Sequence, residues 1–310
     1  MSDPIHKPKV AVVGAGAVGG YFGGMFARAG LPVVLIGRPS FVEAVRQDGL
    51  KIDSFQFQET VHPEASTELS AAAGADLVLF CVKTTDTAAV AKQLAKILKP
   101  DALLLSMQNG VNNQEEIRAA SGIDAIPAVV YVAASVPTPG TVKHFGRGDI
   151  VTGPENERAK RVADIFALGK IPCRVSDNIQ GDLWTKLIWN CGLNAISGLG
   201  RVMYGEILAS EDAKQLVAAA VYETLAVARV KGIHPPGLED PQAAIAGSFQ
   251  IAQQMSAMRS STAQDMVRNK RTEIDSLNGY VAREGAKLGV ATPVNQALYT
   301  LVKLYESNFP

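Results

Sequence analysis

The chain of 310 residues is poor in the side chains that build disulfide frameworks and metal sites. It has three cysteines, Cys81, Cys173 and Cys191, and four histidines. An odd number of cysteines without paired spacing argues against a disulfide framework or a zinc site, so we expect no metal. Cys81 and Cys191 lie in apolar runs, where a cysteine is usually a small buried hydrophobe.

A charge imbalance and a long apolar run are missing as well. Because 30 basic residues balance 30 acidic ones, nothing favours nucleic acid or an anionic membrane as a partner. No stretch of about 18 apolar residues exists, so we expect no transmembrane helix. The segment Met1–Pro8 lacks the apolar core of a signal peptide. We therefore expect a cytoplasmic protein, and its length predicts two domains.

The first half of the chain alternates apolar runs with helical segments. The runs predicted to be strands are 9–13, 33–36, 77–82, 102–106 and 125–132, and the segments predicted to be helices are 17–29, 41–47, 87–98 and 114–120. Continuous Val, Leu and Ile runs separated by helices are typical of a parallel sheet covered on both faces. Residues 50–61 alternate weakly and are predicted to form a hairpin.

A glycine-rich turn follows the first strand and begins the first helix. Its residues are Gly14, Ala15, Gly16, Ala17, Val18 and Gly19. In a Gly-x-Gly-x-x-Gly turn, the first glycine permits the tight turn, the second lets the backbone approach a pyrophosphate, and the third lets helix and strand pack closely. The pattern alone is weak, but its position after a strand and before a helix predicts a dinucleotide site; the alternative is a structural glycine turn without a ligand. We predict an α/β fold, a Rossmann-type doubly wound parallel sheet.

The end of the second strand bears on the choice of cofactor. Domains specific for NAD usually carry Asp or Glu there, which accepts hydrogen bonds from the ribose hydroxyls. This chain has no acid at that point and has Arg38 instead. A guanidinium suits a 2′-phosphate through its charge and its bidentate fork. We predict NADP(H) as the cofactor; the alternative for Arg38 is a solvated surface charge.

Two further polar groups follow strands. Lys83 comes after the third clear strand, and Gln108-Asn109-Gly110 comes after the next one. Ligands bind outside the carboxyl ends of strands in open α/β sheets. We therefore predict that Lys83 lies near the cofactor and that an amide after the next strand bonds ribose or substrate. Each is otherwise an ordinary polar loop residue.

The second half is predicted to be helical. The two predicted domains are residues 1–176 and residues 177–310. The segment 183–196 is apolar nearly all round, as a buried helix would be. Its strongly polar members are Lys186, Asn190 and Asn194, which are four residues apart and form one stripe. Buried polar groups are costly unless they are paired. They are either satisfied within the protein or face a cleft for a polar ligand, and three in register favour the cleft.

A second stripe runs through Ser261, Asp265, Asn269 and Glu273, again at steps of four. Its segment is far more polar, so a solvated helix face is an equal alternative. Ser261 also suits the N-cap of a helix that begins at Thr262 or Ala263.

A nicotinamide cofactor implies hydride transfer, and a reduced ketone needs a proton donor. The four histidines lie in tails and irregular segments. Lys186 is better placed, because an ammonium group both stabilises the developing alkoxide and donates a proton.

These motifs, in this order, resemble the ketopantoate reductases (2-dehydropantoate 2-reductases) over nearly the whole chain. The resemblance implies a Rossmann domain followed by an all-helical domain, with the site in the cleft between them. It implies NADPH-dependent reduction of 2-dehydropantoate to pantoate, in pantothenate and coenzyme A biosynthesis. Lys186 would be the proton donor. The implied substrate-binding residues are Asn109, Asn190, Asn194 and Ser261, and Asn109 and Glu273 would contact the cofactor.

The sequence departs from that family at Tyr204, where well-characterised members have another substrate-binding asparagine before Gly-Glu. This leaves reduction of a different 2-oxo acid open. A non-catalytic NADP-binding sensor is the alternative outside enzymes, although a sensor needs no proton donor. The C-terminal helices have enough apolar surface for a homodimer, and equally for an intrachain core.

Overall fold

The computed structural model describes residues 7–309. The expectation about a signal peptide falls mainly on residues outside this range. The described chain divides into two compact units. Unit 1 takes the residues up to Gln108 and Asn112–Ile179, and unit 2 takes Asn109–Val111 and the residues from Gln180 onward. The predicted boundary at 176/177 stays a prediction.

Unit 1 is a sheet with helices. Its strands are β1 Val10–Val13, β2 Val33–Ile36, β3 Leu50–Ser54, β4 Gln58–Val61, β5 Glu64–Ser66, β6 Leu77–Phe80, β7 Leu103–Ser106, β8 Ile126–Ser135, β9 Thr141–Thr152 and β10 Cys173–Val175. Its helices are α1 Ala17–Arg28, α2 Pro39–Asp48, α3 Thr87–Leu94, α4 Asn113–Ser121 and α5 Glu157–Leu168.

The centre of the sheet is parallel, with β1 between β2 and β6 and with β7 beyond β6. All four residues of β1 are buried. Because side chains alternate across a strand, Val10 and Val12 pack in one core cluster, and Ala11 and Val13 pack in another. Both faces are therefore covered, as continuous apolar strands require. The predicted fold class is confirmed.

The rest of the sheet differs from a purely parallel one. The hairpin predicted at residues 50–61 is confirmed, because β3 and β4 pair antiparallel. The long strand β9 was not predicted; it pairs antiparallel with β8 and parallel with β3 and β10. Its strand signal in the sequence is interrupted by glycine and charged residues in its middle, and β-bulges shift its register. The helix predicted over 87–98 ends earlier, at Leu94.

A buried histidine ties β9 to β3. His144 is 3% exposed, and its Nε2 lies 2.7 Å from the carbonyl oxygen of Arg147. Since a carbonyl can only accept, Nε2 carries the proton, and Nδ1 accepts from the Ser54 hydroxyl at 3.0 Å. Burial lowers the pKa of His144, while hydrogen bonds to the carbonyls of Arg147 and Gly146 act against it.

This histidine should make the protein less stable in mild acid. The unfolded chain binds a proton at His144 below pH about 6.5, while the folded chain resists it. The free energy of unfolding should therefore fall as the pH drops from there, by at most about 1.4 kcal/mol per pH unit from this group, until the folded-state pKa is passed. Urea unfolding between pH of about 8 and 5 measures the slope.

In that experiment His144→Gln should flatten the slope relative to wild type. The exposed His62, changed to Gln, is the matched control and should leave the slope unchanged. Equal slopes for wild type and His144→Gln would contradict the assignment.

Unit 2 is helical in its described part. Its helices are α6 Ile179–Gly200, α7 Tyr204–Leu208, α8 Glu211–Val230, α9 Pro241–Gln254, α10 Ser261–Val267, α11 Asn278–Leu288 and α12 Pro293–Glu306; α6 begins one residue before the unit does. Its core gathers apolar residues of α6, α8, α9 and α12, among them Ile188, Val221 and Val302. The buried Glu223 carboxylate accepts from the backbone N–H groups of Val294 and Asn295, which stabilises the start of α12.

Within residues 7–309, no helix is both long and apolar enough to cross a membrane. The same residues contain no cluster of three or more His, Cys, Asp or Glu side chains that could hold a metal ion.

Candidate functional site

The glycine-rich turn is held tightly against the ends of β2 and β6. The backbone N–H groups of Gly14 and Ala15 both donate to the carbonyl of Ile36, at 2.9 Å. Gly14 has φ +98°, and a Cβ atom there would lie 2.7 Å from backbone atoms of Cys81 and Val82. Only glycine fits such a position.

The third glycine of the turn serves helix packing. A Cβ atom at Gly19 would lie 2.5 Å from the carbonyl oxygen of Gly14 and 2.7 Å from Cγ1 of Val12. Its missing side chain therefore lets α1 lie directly on β1. The packing agrees with the role that the sequence predicts for this glycine.

At Gly16, by contrast, neither the backbone conformation nor a contact within the protein requires a glycine. Its φ is −100°, it is exposed, and a Cβ atom there would meet no atom within 4 Å. The missing side chain leaves space for a ligand to approach the backbone closely. α1 begins at the next residue and has no acidic side chain in its first turn. Free N–H groups at a helix N-terminus attract phosphate, so these residues fit the pyrophosphate of a dinucleotide.

Gly16→Ala should therefore weaken the dinucleotide without destabilising the protein. We expect binding to weaken by about 1 kcal/mol, the lower end for crowding a close contact. The unfolding free energy should stay within about 0.5 kcal/mol of wild type. Gly146→Ala is the matched control, because its Cβ atom also meets open space without a positive φ. Calorimetric titration and urea unfolding measure the two effects; equal affinities for both variants would refute this role of Gly16.

Arg38 lies directly after β2, beside the glycine turn. It is the N-cap residue of α2. The preceding Gly37 lies close to Ala15, because a Cβ atom added at Gly37 would lie 3.2 Å from the Cβ atom of Ala15. The Arg38 side chain is exposed. No described residue forms an ion pair or a side-chain hydrogen bond with it. The guanidinium is available to a ligand bound at the turn.

The polar residues after β6 and β7 differ in their burial and their surroundings. Lys83 is half-buried and precedes the 3₁₀ turn Thr84–Asp86. Gln108 is buried, and its Nε2 donates to the Val82 carbonyl at 3.1 Å and to Thr87 Oγ1 at 2.7 Å. This amide holds the two strand ends together within the protein.

Asn109 belongs to unit 2, where it meets a residue far along the chain. Its Nδ2 donates to Oε2 of Glu273 at 2.9 Å, across a separation of 164 residues. Both side chains are half-buried. The fold thus brings together two residues that the sequence predicts as cofactor ligands, and a carboxylate fixes the direction of the Asn109 amide.

The predicted stripe on α6 is present as a row of polar groups on a buried helix. Lys186 and Asn190 are half-buried, and Asn194 is 4% exposed. The neighbouring Leu187 and Cys191 are fully packed. Burying a charge costs free energy unless it is compensated, so the surroundings of Lys186 must stabilise its ammonium group.

Asn194 bonds to Tyr204, which takes the position of a substrate-binding asparagine in the family that the sequence resembles. The Tyr204 hydroxyl donates to Asn194 Oδ1 at 3.1 Å, and Ser260 Oγ donates to the Asn194 carbonyl oxygen at 2.9 Å. Tyr204 is 6% exposed, and burial raises its pKa. The side-chain oxygen of Asn194 therefore accepts a hydrogen bond from Tyr204, and its Nδ2 group takes no part in that bond.

Two expectations about residues 261–273 are wrong. The N-cap of α10 is Ser260, whose Oγ accepts from the Ala263 N–H at 3.0 Å, whereas Ser261 is the exposed first residue of the helix. The helix ends at Val267, and Asn269 has φ +50°. The proposed stripe therefore does not continue on one helix face to Glu273. Sequence could not choose between adjacent serines, since either satisfies the N-cap pattern.

A glycine turn that leaves room for pyrophosphate and a half-buried lysine among amides are features of a pyridine-nucleotide dehydrogenase. Comparison with known proteins agrees. Residues 10–157 match the family model described as ketopantoate reductase PanE/ApbA, and residues 178–306 match its C-terminal model. The chain belongs to the ketopantoate reductase family, which consists of oxidoreductases.

Individual relatives cover nearly the whole chain. A 2-dehydropantoate 2-reductase from Pyrococcus abyssi is 32% identical over 95% of this chain and 97% of its own. A PanE/ApbA family ketopantoate reductase from Ralstonia eutropha JMP134 has a structure with a TM-score of 0.91 and 44% identity, covering 96% of this chain and 98% of its own. D-mandelate dehydrogenase, solved with NADH and anilino(oxo)acetate, has a TM-score of 0.88 at 26% identity, covering 97% and 99%.

Proposed function

We propose that this protein reduces 2-dehydropantoate to pantoate with NADPH, in pantothenate and coenzyme A biosynthesis. The observation that carries the proposal is the half-buried Lys186 on α6, in line with Asn190 and Asn194. Relatives named 2-dehydropantoate 2-reductase support the substrate. A cytoplasmic location and a homodimer are parts of the same proposal.

The cofactor would bind to unit 1. The turn Gly14–Gly19 and the first turn of α1 would hold the pyrophosphate, Arg38 would bind the 2′-phosphate, and Lys83 would lie along the cofactor. When bound, the nicotinamide supplies a hydride to the carbonyl carbon of the substrate.

Unit 2 would supply the groups that act on the carbonyl oxygen. Negative charge grows there as the hydride arrives, and the Lys186 ammonium would stabilise it and donate the proton. Asn190, Asn194 and Ser261 would hold the substrate. The Asn109 amide, held by Glu273, would contact the cofactor or the substrate.

A steady-state assay that follows NADPH oxidation with 2-dehydropantoate tests the proposal. We expect saturable turnover and a strong preference for NADPH over NADH. Binding of NADPH without turnover of any 2-oxo acid would favour a sensor and would overturn the enzymatic assignment.

A second candidate is reduction of a different 2-oxo acid, and the Tyr204–Asn194 hydrogen bond favours it. A phenol replaces the amide that characterised members of the family have at this position. It also engages the oxygen of Asn194, so this amide offers the substrate a donor. D-mandelate dehydrogenase, a structural relative, was solved with anilino(oxo)acetate.

Tyr204→Asn distinguishes the two candidates. If Tyr204 selects against 2-dehydropantoate, the variant should raise kcat/KM for 2-dehydropantoate relative to phenylglyoxylate by about tenfold, the scale of one hydrogen bond to a buried group. Tyr204→Phe is the control, because it removes the hydroxyl without adding an amide. An unchanged ratio in Tyr204→Asn would assign Tyr204 a structural role only.

A further inference from the structure

A cavity of about 300 Å³ lies in unit 2, at the C-terminal end of α6. Its walls come from the turn after α6, the residues just before α10, α10 itself and the last turn of α12. Ala263, Met266 and Val267 provide an apolar side, and the ring of Tyr305 closes another. None of the residues assigned above to cofactor or substrate lines it.

The polar side of the cavity carries positive charge alone. Arg201 and Arg259 line it, and no lining residue is acidic. Arg201 Nη2 donates to the Tyr305 hydroxyl at 2.7 Å, which leaves most of its five N–H groups for another acceptor. In the described chain, no carboxylate forms an ion pair with either guanidinium.

Two helices end beside the cavity, each with a residue in the left-handed conformation. Arg201 has φ +56° and Asn269 has φ +50°. Both conformations belong to helix ends: the N–H of Val202 donates to the carbonyl of Ser197 at 3.2 Å, and the N–H of Lys270 donates to the carbonyl of Asp265 at 2.9 Å. The end of α6 at Arg201 thereby places this residue at the cavity.

None of the predicted substrate residues lines the cavity. α10 packs on α6 at Gly198, where a Cβ atom would lie 2.7 Å from Met266 Sδ and 3.2 Å from Thr262 Cγ2. With 3.6 residues per turn, Ser261 projects to one side of that contact, and Ala263 and Val267 project to the other. The helix contact therefore lies between the cavity and Ser261.

We propose that this cavity is a binding site for a small organic anion, a phosphate or carboxylate group on an apolar body. The two guanidiniums would bind the anionic group in their planar forks. Ala263, Met266, Val267 and the Tyr305 ring would cover the apolar part, so a bare inorganic ion would bind less tightly.

Phenyl phosphate and phenylacetate are suitable probes, since they share the apolar body and differ in the anionic group. Each is titrated by calorimetry into the full chain at saturating NADP⁺, so that the predicted cofactor site at Arg38 is filled. We expect saturable binding of at least one probe, weaker binding of inorganic phosphate and none of phenol. Arg201→Gln and Arg259→Gln should each weaken the probe by about tenfold or more, the scale of a charged hydrogen bond.

Two control variants locate the effect. Arg268→Gln removes an exposed arginine at the end of α10 that does not line the cavity, and Asn190→Ala alters the predicted substrate stripe. Both should bind the probe as wild type does, and thermal unfolding should confirm that all four variants fold. The proposal is overturned if neither probe binds, if Arg268→Gln loses as much affinity as Arg259→Gln, or if Asn190→Ala abolishes binding. Because binding is measured, the result does not depend on the reductase activity.

Discussion

Lys186→Ala is expected to lower kcat by about 10²–10⁴-fold, the usual contribution of a general acid, while NADPH binding stays nearly intact. In the proposed mechanism the ammonium group stabilises the negative charge that grows on the carbonyl oxygen and donates the proton to it. The variant lacks both contributions. The side chain lies on α6 in unit 2, whereas the glycine turn lies in unit 1. Because the proposed role of Lys186 is at the carbonyl oxygen and none of the proposed cofactor contacts involves it, the change should affect turnover rather than cofactor affinity. Single-turnover NADPH oxidation and a fluorescence titration of NADPH measure the two quantities.

Lys214→Ala is the matched control. Lys214 is also a partly buried lysine on a helix of unit 2, but it lies on α8, where it pairs with Glu211. It should keep wild-type kcat. Full activity in Lys186→Ala would show that the lysine is not the proton donor. An equal loss of turnover and of NADPH affinity would show that the lysine supports the folded structure or cofactor binding instead.

Arg38→Ala should weaken NADPH binding by roughly 1.5–3 kcal/mol, the scale of a hydrogen bond to a charged group, and should leave NADH binding almost unchanged. The reason is that only NADPH carries the 2′-phosphate. The guanidinium is exposed beside the glycine turn, so its removal costs no buried contact. Dissociation constants for both cofactors, measured at one fixed ionic strength, give the difference.

Arg46→Ala controls for a general loss of positive charge. Arg46 is exposed on the same helix, where its Nε donates to the carbonyl of Ala65. It should change both affinities slightly and equally. If Arg38→Ala also weakens NADH and NADPH to the same extent, Arg38 does not recognise the 2′-phosphate.

Local patterns were sufficient for the centre of unit 1. The apolar runs of β1, β2 and β6 predicted buried parallel strands because only a sheet covered on both faces accommodates them. The strand β9 could not be predicted in this way. It is stabilised by pairing with β8, β3 and β10, and partners far along the chain leave no local signal.

Periodicity was a partial guide to unit 2. Lys186, Asn190 and Asn194 do share α6, because one long apolar helix sets their spacing. The same spacing from Ser261 to Glu273 was misleading, since α10 ends at Val267 and the chain turns at Asn269. Spacing predicts a common face only where the helix continues.

By itself, the sequence determined the glycine turn, the parallel strands around it and the polar stripe of α6, since each depends on residues within a few turns or strands. Only the tertiary structure decided that Glu273 holds the Asn109 amide and that Tyr204 engages the oxygen of Asn194. It also decided that Arg201 and Arg259 share one cavity. Hydrogen bonds and cavities depend on distances in space, and chain folding sets those distances independently of separation along the sequence.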